Sequence, residues 1–221
     1  MPNRKNKVVI IGGGSDHGIE IDKNKFEYWT VNNCYINKEQ KPTHIFELHH
    51  IRKIDGVWYR RDSKVFGAES VDYYINDLKE LDIPIYMQQK NKDVPKSIQF
   101  PIVEVLDRFP RGYFNNSIAW MIGFAIIKDF KEIHLHNICK ITENFSEYLV
   151  HKFSTEYMLG VAEGLGIKVY VSESSELLKS KYLYGYQENI NSYEKHVDYL
   201  RNGGGNYSKY DLQDHLGIAH I

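Results

Sequence analysis

Six stretches of this chain carry groups able to do chemistry. "GGGSDHG" at 12–18 puts Gly12, Gly13, Gly14 and Ser15 directly after the apolar run Val8, Val9, Ile10, Ile11. Main-chain N–H groups in such a turn can approach a phosphate closely, and a following helix N-terminus adds positive potential. Asn32 and Asn33 end "FEYWTVNN", and each amide offers both a donor and an acceptor. Glu47, His49 and His50 close "THIFELHH", and histidine is the side chain that titrates near neutral pH. Asn116 and Ser117 open "FNNSIAWMIGFAIIKDF", while Tyr148 and His151 stand in "EYLVHKFSTEY". In "IRKIDGVWYRR", Arg52, Lys53, Arg60 and Arg61 flank Trp58 and Tyr59. That mixture can hold phosphates and stack a base, or it can be a solvated surface loop.

Strands are expected at 8–11, 26–33, 43–50, 83–89, 131–139 and 167–172, from short β-branched or aromatic runs. Helical spacing covers 70–81 and 114–130, the latter capped by Asn115 or Asn116 and apolar nearly all round. Residues 147–166 read as a loop and then a helix, with Ser154 as N-cap and Gly164 or Gly166 near the end. Residues 51–70 read as loop, and 97–109 as a short extended piece followed by a turn or helix. The alternation predicts an α/β domain with an open, mainly parallel sheet and helices on both faces, over residues 1–180. Residues 181–221, with glycines at 203–205, form a helical C-terminal appendage that can cover the site or make a homo-oligomer contact. Ligands of an open α/β sheet bind at the carboxyl ends of its strands, where most of these groups fall.

Composition narrows the function. Among 221 residues, 28 Lys and Arg face 29 Asp and Glu, so no global basic field points to nucleic acid or an acidic membrane. Cys34 and Cys139 are the two cysteines, as in a reduced protein, although a disulfide between them is also compatible with the sequence. The apolar run at 118–127 is about half a membrane span, and the N-terminal run is too short for a signal peptide, so a cytoplasmic protein without membrane partners is expected. The sequence lacks GxGxxG, a Walker loop, GxSxG, HExxH and CxxC. A nicotinamide dehydrogenase and a serine hydrolase are thereby disfavoured. No metal site is expected; His134 and His136 read as packed strand residues, and Asp16, Glu20 and Glu47 are the one carboxylate set that a Mg²⁺-dependent enzyme would need.

"YFNNSIAWMIGFAIIKDFKEIHLHN" at 113–137 resembles Rossmann-like proteins encoded by bacteriophages. More distantly it resembles the sialyltransferases of glycosyltransferase family 42 and motility-associated glycosyltransferase-like proteins. "VVIIGGGS", "TVNNCY" and "EYLVHKFSTEYMLGVAEGLGIKVYVSESSELL" extend the resemblance over about residues 7 to 186. It implies a nucleotide-binding domain and an inverting, metal-independent transferase that uses a nucleotide sugar as co-substrate and no other cofactor. Gly12, Gly13, Gly14, Ser15, Asn32, Asn33, Asn116 and Ser117 would hold the donor nucleotide. His151 would be the base, with Tyr148 nearby; from their own positions in the sequence Glu47, His49 and Arg52, like Tyr148, either meet the acceptor or support residues that do. The phage likeness implies host cytoplasm and an acceptor such as DNA or a glycan. Two departures stand out: Gly13 replaces the family's central Asn, and "NICK" at 137–140 lacks its Asp. The alternative is a protein of the same fold that binds a nucleotide or nucleotide signal without turnover, as a phage counter-defence.

Overall fold

In the chain's computed structural model, residues 5–13, 21–34, 41–60, 70–138, 145–173 and 175–179 are described, the first six of the 145–173 stretch by backbone alone. In chain order the strands are β1 (Lys7–Ile11), β2 (Phe26–Val31), β3 (His44–Glu47), β4 (Ile51–Ile54), β5 (Val57–Arg60), β6 (Ile85–Met87), β7 (Ser97–Gln99), β8 (Glu132–His136) and β9 (Lys168–Val171). The helices are α1 (Asp72–Lys79), α2 (Ile102–Arg108), α3 (Ser117–Ile127) and α4 (Phe145–Gly164). Seven strands form one sheet in the order β7-β6-β3-β2-β1-β8-β9, every neighbouring pair parallel. This is the open α/β, Rossmann-like architecture that the alternation of patterns predicts.

Both faces of the sheet are covered, so the central strands read as unbroken apolar runs. Val8, Ile10, Trp29, Val31 and Phe46 face α3, whose Met121, Ile122, Phe124 and Ala125 are buried. α3 can bury nearly every residue because α4, with Met158, Leu159 and Ala162, closes its outer side. On the other face Ile45, Ile85 and Met87 meet Tyr74, Ile75 and Leu78 of α1. His134 lies between the rings of Phe26 (4.8 Å between centroids, edge-on) and Tyr170 (4.3 Å, stacked), and burial holds its pKa below the usual histidine value. It is a packing histidine.

Three expectations need correction or restriction. Residues 51–60 are a β-hairpin, β4 pairing antiparallel with β5, rather than loop. Its two-residue turn is Asp55-Gly56 with φ of 50° and 86°, the conformation for which Asp-Gly is a strong signal. Ser154 is not an N-cap. α4 begins nine residues earlier in the chain, at Phe145, and Ser154 is fully buried within it. The appendage 181–221 lies outside the described residues. No helix among the described residues is long and apolar enough to cross a membrane.

At the seam between β1 and β8 the strand order reverses. Gly12 continues the ladder there: its N–H donates to the His136 carbonyl at 3.0 Å. A Cβ on Gly12 would stand 2.5 Å from the Asn137 carbonyl oxygen and 3.0 Å from the Ile138 side chain. Glycine is required here by strand packing. Gly12→Ala should therefore cost about 1–3 kcal/mol of stability. Gly13→Ala, whose Cβ would meet only the Cys34 sulfur at 3.4 Å, should cost less than about 1 kcal/mol. Urea denaturation of the two variants side by side checks the difference, and equal losses would remove the packing explanation.

Candidate functional site

The carboxyl ends of β2 and β3, the first turn of α3 and one turn of α4 enclose a cleft of about 380 Å³. Val31 and Asn32 enter from β2, Leu48 and His49 from β3, residues 114–118 and Trp120 from the start of α3, and His151 from α4. The structure thus brings together Asn32, His49, Asn116, Ser117 and His151 from the sequence-predicted set.

Asn116 builds the corner. Its backbone is extended (φ −155°, ψ 164°), and its Oδ1 accepts from the Ala119 N–H at 2.9 Å, which is the N-cap bond. Its Nδ2 donates to the His151 carbonyl (2.9 Å), Ser154 Oγ (2.8 Å) and Thr155 Oγ1 (3.1 Å). One amide therefore starts α3 and locks it to α4, carrying His151 to the cleft. The polar atoms of Asn116 are committed to structure. What remains for a ligand is the main-chain N–H of Ser117 and of Ile118, which helix geometry leaves without intrahelical acceptors, together with the positive end of the helix dipole. Asn32 sits in the left-handed region (φ 52°), its N–H donating to the Phe46 carbonyl at 2.9 Å. Its buried Oδ1 has no partner among the described residues.

Glu47 is fully buried, and both of its oxygens are occupied. Oε1 accepts from His49 Nδ1 at 2.7 Å and from the His49 main-chain N–H at 3.1 Å; Oε2 accepts from Arg60 Nη2 at 2.6 Å. Burial pushes its pKa up, but the His49 hydrogen bond and the Arg60 charge outweigh it, so the carboxyl titrates below its ordinary 4.5. The Arg60 guanidinium also lies 4.8 Å over the Tyr74 ring, and Trp58 is buried under Lys53. Two members of the expected basic and aromatic surface patch thus point inward, because β5 packs its alternate residues on α1 and on Glu47.

Of the other expected residues, Gly12 and Gly13 stand by Asn137 and Cys34 rather than in the cleft wall, and Asn33 is exposed outside it. Arg52 lies in β4 opposite Tyr59 and does not line the cleft. Gly14, Ser15, Asp16, Glu20, Arg61 and Cys139, and the side chain of Tyr148, lie outside the described residues. Among the described residues no three His, Cys, Asp or Glu side chains converge as a metal-binding group.

Sequence reading missed the aromatic wall. Phe114 and Trp120 stack at 4.1 Å with planes 14° apart, and both line the cleft. The available signal was spacing: Trp120 follows Asn116 by four residues and so shares its helix face.

No family model matches the chain, and no curated protein matches it. A similar solved structure is that of the sialyltransferase CstII from Campylobacter jejuni in complex with a substrate analogue, cytidine-5'-monophosphate. It shows 18% identity and a TM-score of 0.43, covering 89% of this chain and 99% of that one.

Proposed function

We propose that this chain is a nucleotide-sugar-dependent glycosyltransferase, inverting and metal-independent, with the cleft as its donor site. The observation that carries this reading is the composition of the cleft. An aromatic stack suited to a base, the first turn of α3 suited to phosphate, and two imidazoles line one cavity. The nucleobase lies along Phe114 and Trp120, the phosphate meets the Ser117 and Ile118 N–H groups, and Asn32 takes a donor hydroxyl. Transfer then needs a base for the acceptor hydroxyl, and histidine suits that task near neutral pH. The resemblance gives that role to His151. The inward turn of Arg60 and Trp58 weakens the case for DNA as acceptor and favours a glycan hydroxyl. A sequestering protein would enclose its ligand. A second cavity of about 210 Å³ shares His49 with this cleft, which favours turnover.

The test is a thermal-shift screen with CMP, nucleoside diphosphates and a panel of nucleotide sugars. A ligand at a hundred times its Kd should raise the midpoint by about 5–10 °C. The nucleotide that does so should lose its effect in Ser117→Pro, which removes one N–H from the cleft. No shift with any nucleotide at millimolar concentration sinks the donor-site reading.

A further inference from the structure

His49 has a design that donor binding does not use. It is one imidazole shared by two cavities, the donor cleft and the second cavity between β3, β6 and the β4–β5 hairpin. Its Nδ1 is fixed by Glu47 at 2.7 Å, and Glu47 is fixed in turn by Arg60 at 2.6 Å. An ionised carboxylate only accepts, so Nδ1 carries the hydrogen and the neutral ring has its lone pair on Nε2. A buried carboxylate behind an imidazole sets both tautomer and orientation, which is what a general base requires.

The second cavity has features of a binding place. Trp58 forms part of its wall, and the buried indole Nε1 of Trp58 has no acceptor among the described residues. Gln88, Asn91, Lys90 and Lys92 line it as well. An indole beside amides and ammonium groups suits a hydroxylated ring, with an anionic substituent accommodated by the lysines.

We propose that the second cavity seats the acceptor and that His49 Nε2 takes the proton of its attacking hydroxyl. This rests on the glycosyltransferase reading and differs from the role that the resemblance gives to His151. In the step, the acceptor oxygen bonds to the anomeric carbon as its proton passes to His49. The bond from that carbon to the phosphate oxygen breaks with its electron pair, which leaves on the nucleotide. The proton then returns to solvent.

Two measurements test it. The first uses the apo protein with ¹⁵N-labelled histidine and two-bond ¹H–¹⁵N spectra. His49 should show the Nδ1–H tautomer, and its Nε2 resonance should move on adding the nucleotide that stabilises the fold. An Nε2–H tautomer, or a His49 signal indifferent to that nucleotide while His151 responds, overturns the proposal. The second uses water as the acceptor and follows release of free sugar from the stabilising nucleotide sugar. His49→Gln should lower kcat at least about a hundredfold with the donor KM within about threefold, while His151→Gln lowers kcat less than about tenfold. A hundredfold loss in His151→Gln with near-normal His49→Gln returns the base role to His151. Failure of every nucleotide to bind removes the donor reading itself, a result separate from the apo tautomer.

Discussion

Asn116→Ala is expected to lower stability by about 3–5 kcal/mol and to loosen the cleft. Loss of an N-cap costs about 1 kcal/mol on its own. The larger share comes from Ser154 and Thr155. Both are fully buried, and both lose the Asn116 Nδ2 donor. Thr155 Oγ1 loses its acceptor, Asn116 Oδ1, as well, and Ser154 Oγ keeps a long bond of 3.4 Å to the His151 carbonyl; a buried hydroxyl short of a partner costs about 1–3 kcal/mol. Asn116→Asp separates the two parts. It keeps the oxygen that caps Ala119, and its second oxygen can accept from the Ser154 and Thr155 hydroxyls while it faces the His151 carbonyl, so it should recover about 1 kcal/mol of the cap and lose the tie to His151. Urea denaturation of both variants measures this. A loss under about 1 kcal/mol in the alanine variant would mean that the α3–α4 corner is held by apolar packing alone.

Glu47→Gln is the second large effect. At neutral pH it should cost about 3–5 kcal/mol, because Arg60 keeps its charge in a half-buried place after the carboxylate is gone. Replacing both residues, as Glu47→Gln with Arg60→Met, should cost less than Glu47→Gln alone, since no unpaired charge remains. The pH dependence has a definite sign. The folded carboxyl titrates below the 4.5 of the free group. Its stabilising contribution is therefore fully present above about pH 4.5 and is lost as pH falls through the lower folded value. Wild type and Glu47→Gln should converge in urea midpoint as the medium is acidified below that range. A constant gap across the titration would show that the loss in the variant comes from packing.

Much of the fold was legible because burial of a parallel sheet on both faces leaves a simple mark. β1 ends in four apolar residues before a glycine, and α3 is apolar nearly all round, and neither pattern has a competing explanation. The β4–β5 hairpin was hidden by charge. Its strands are short and half-solvated, so Arg52, Lys53 and Arg60 masked the alternation, although Asp55-Gly56 carried the turn signal. The start of α4 was misplaced for a related reason: Ser154 has the chemistry of a cap but spends it on Asn116. At the site, the types and strand-end positions of Asn32, His49 and His151 were readable. That Asn116 is a bracket and that Glu47 is a buried counter-charge were not, because both roles depend on partners 35 or more and 13 residues away in the chain.

The position of β1 governs how the chain must assemble. One neighbour, β2, is complete by Val31; the other, β8, begins only at Glu132. During synthesis this interior strand of the finished sheet is for most of that time an open edge, able to pair with another chain. The closing event joins segments far apart in sequence and in parallel, which is the slowest kind of strand pairing to nucleate. Folding speed will follow that late closure rather than the quick formation of α3, and conditions that shorten the wait for β8 should raise the yield of native protein more than conditions that favour helices.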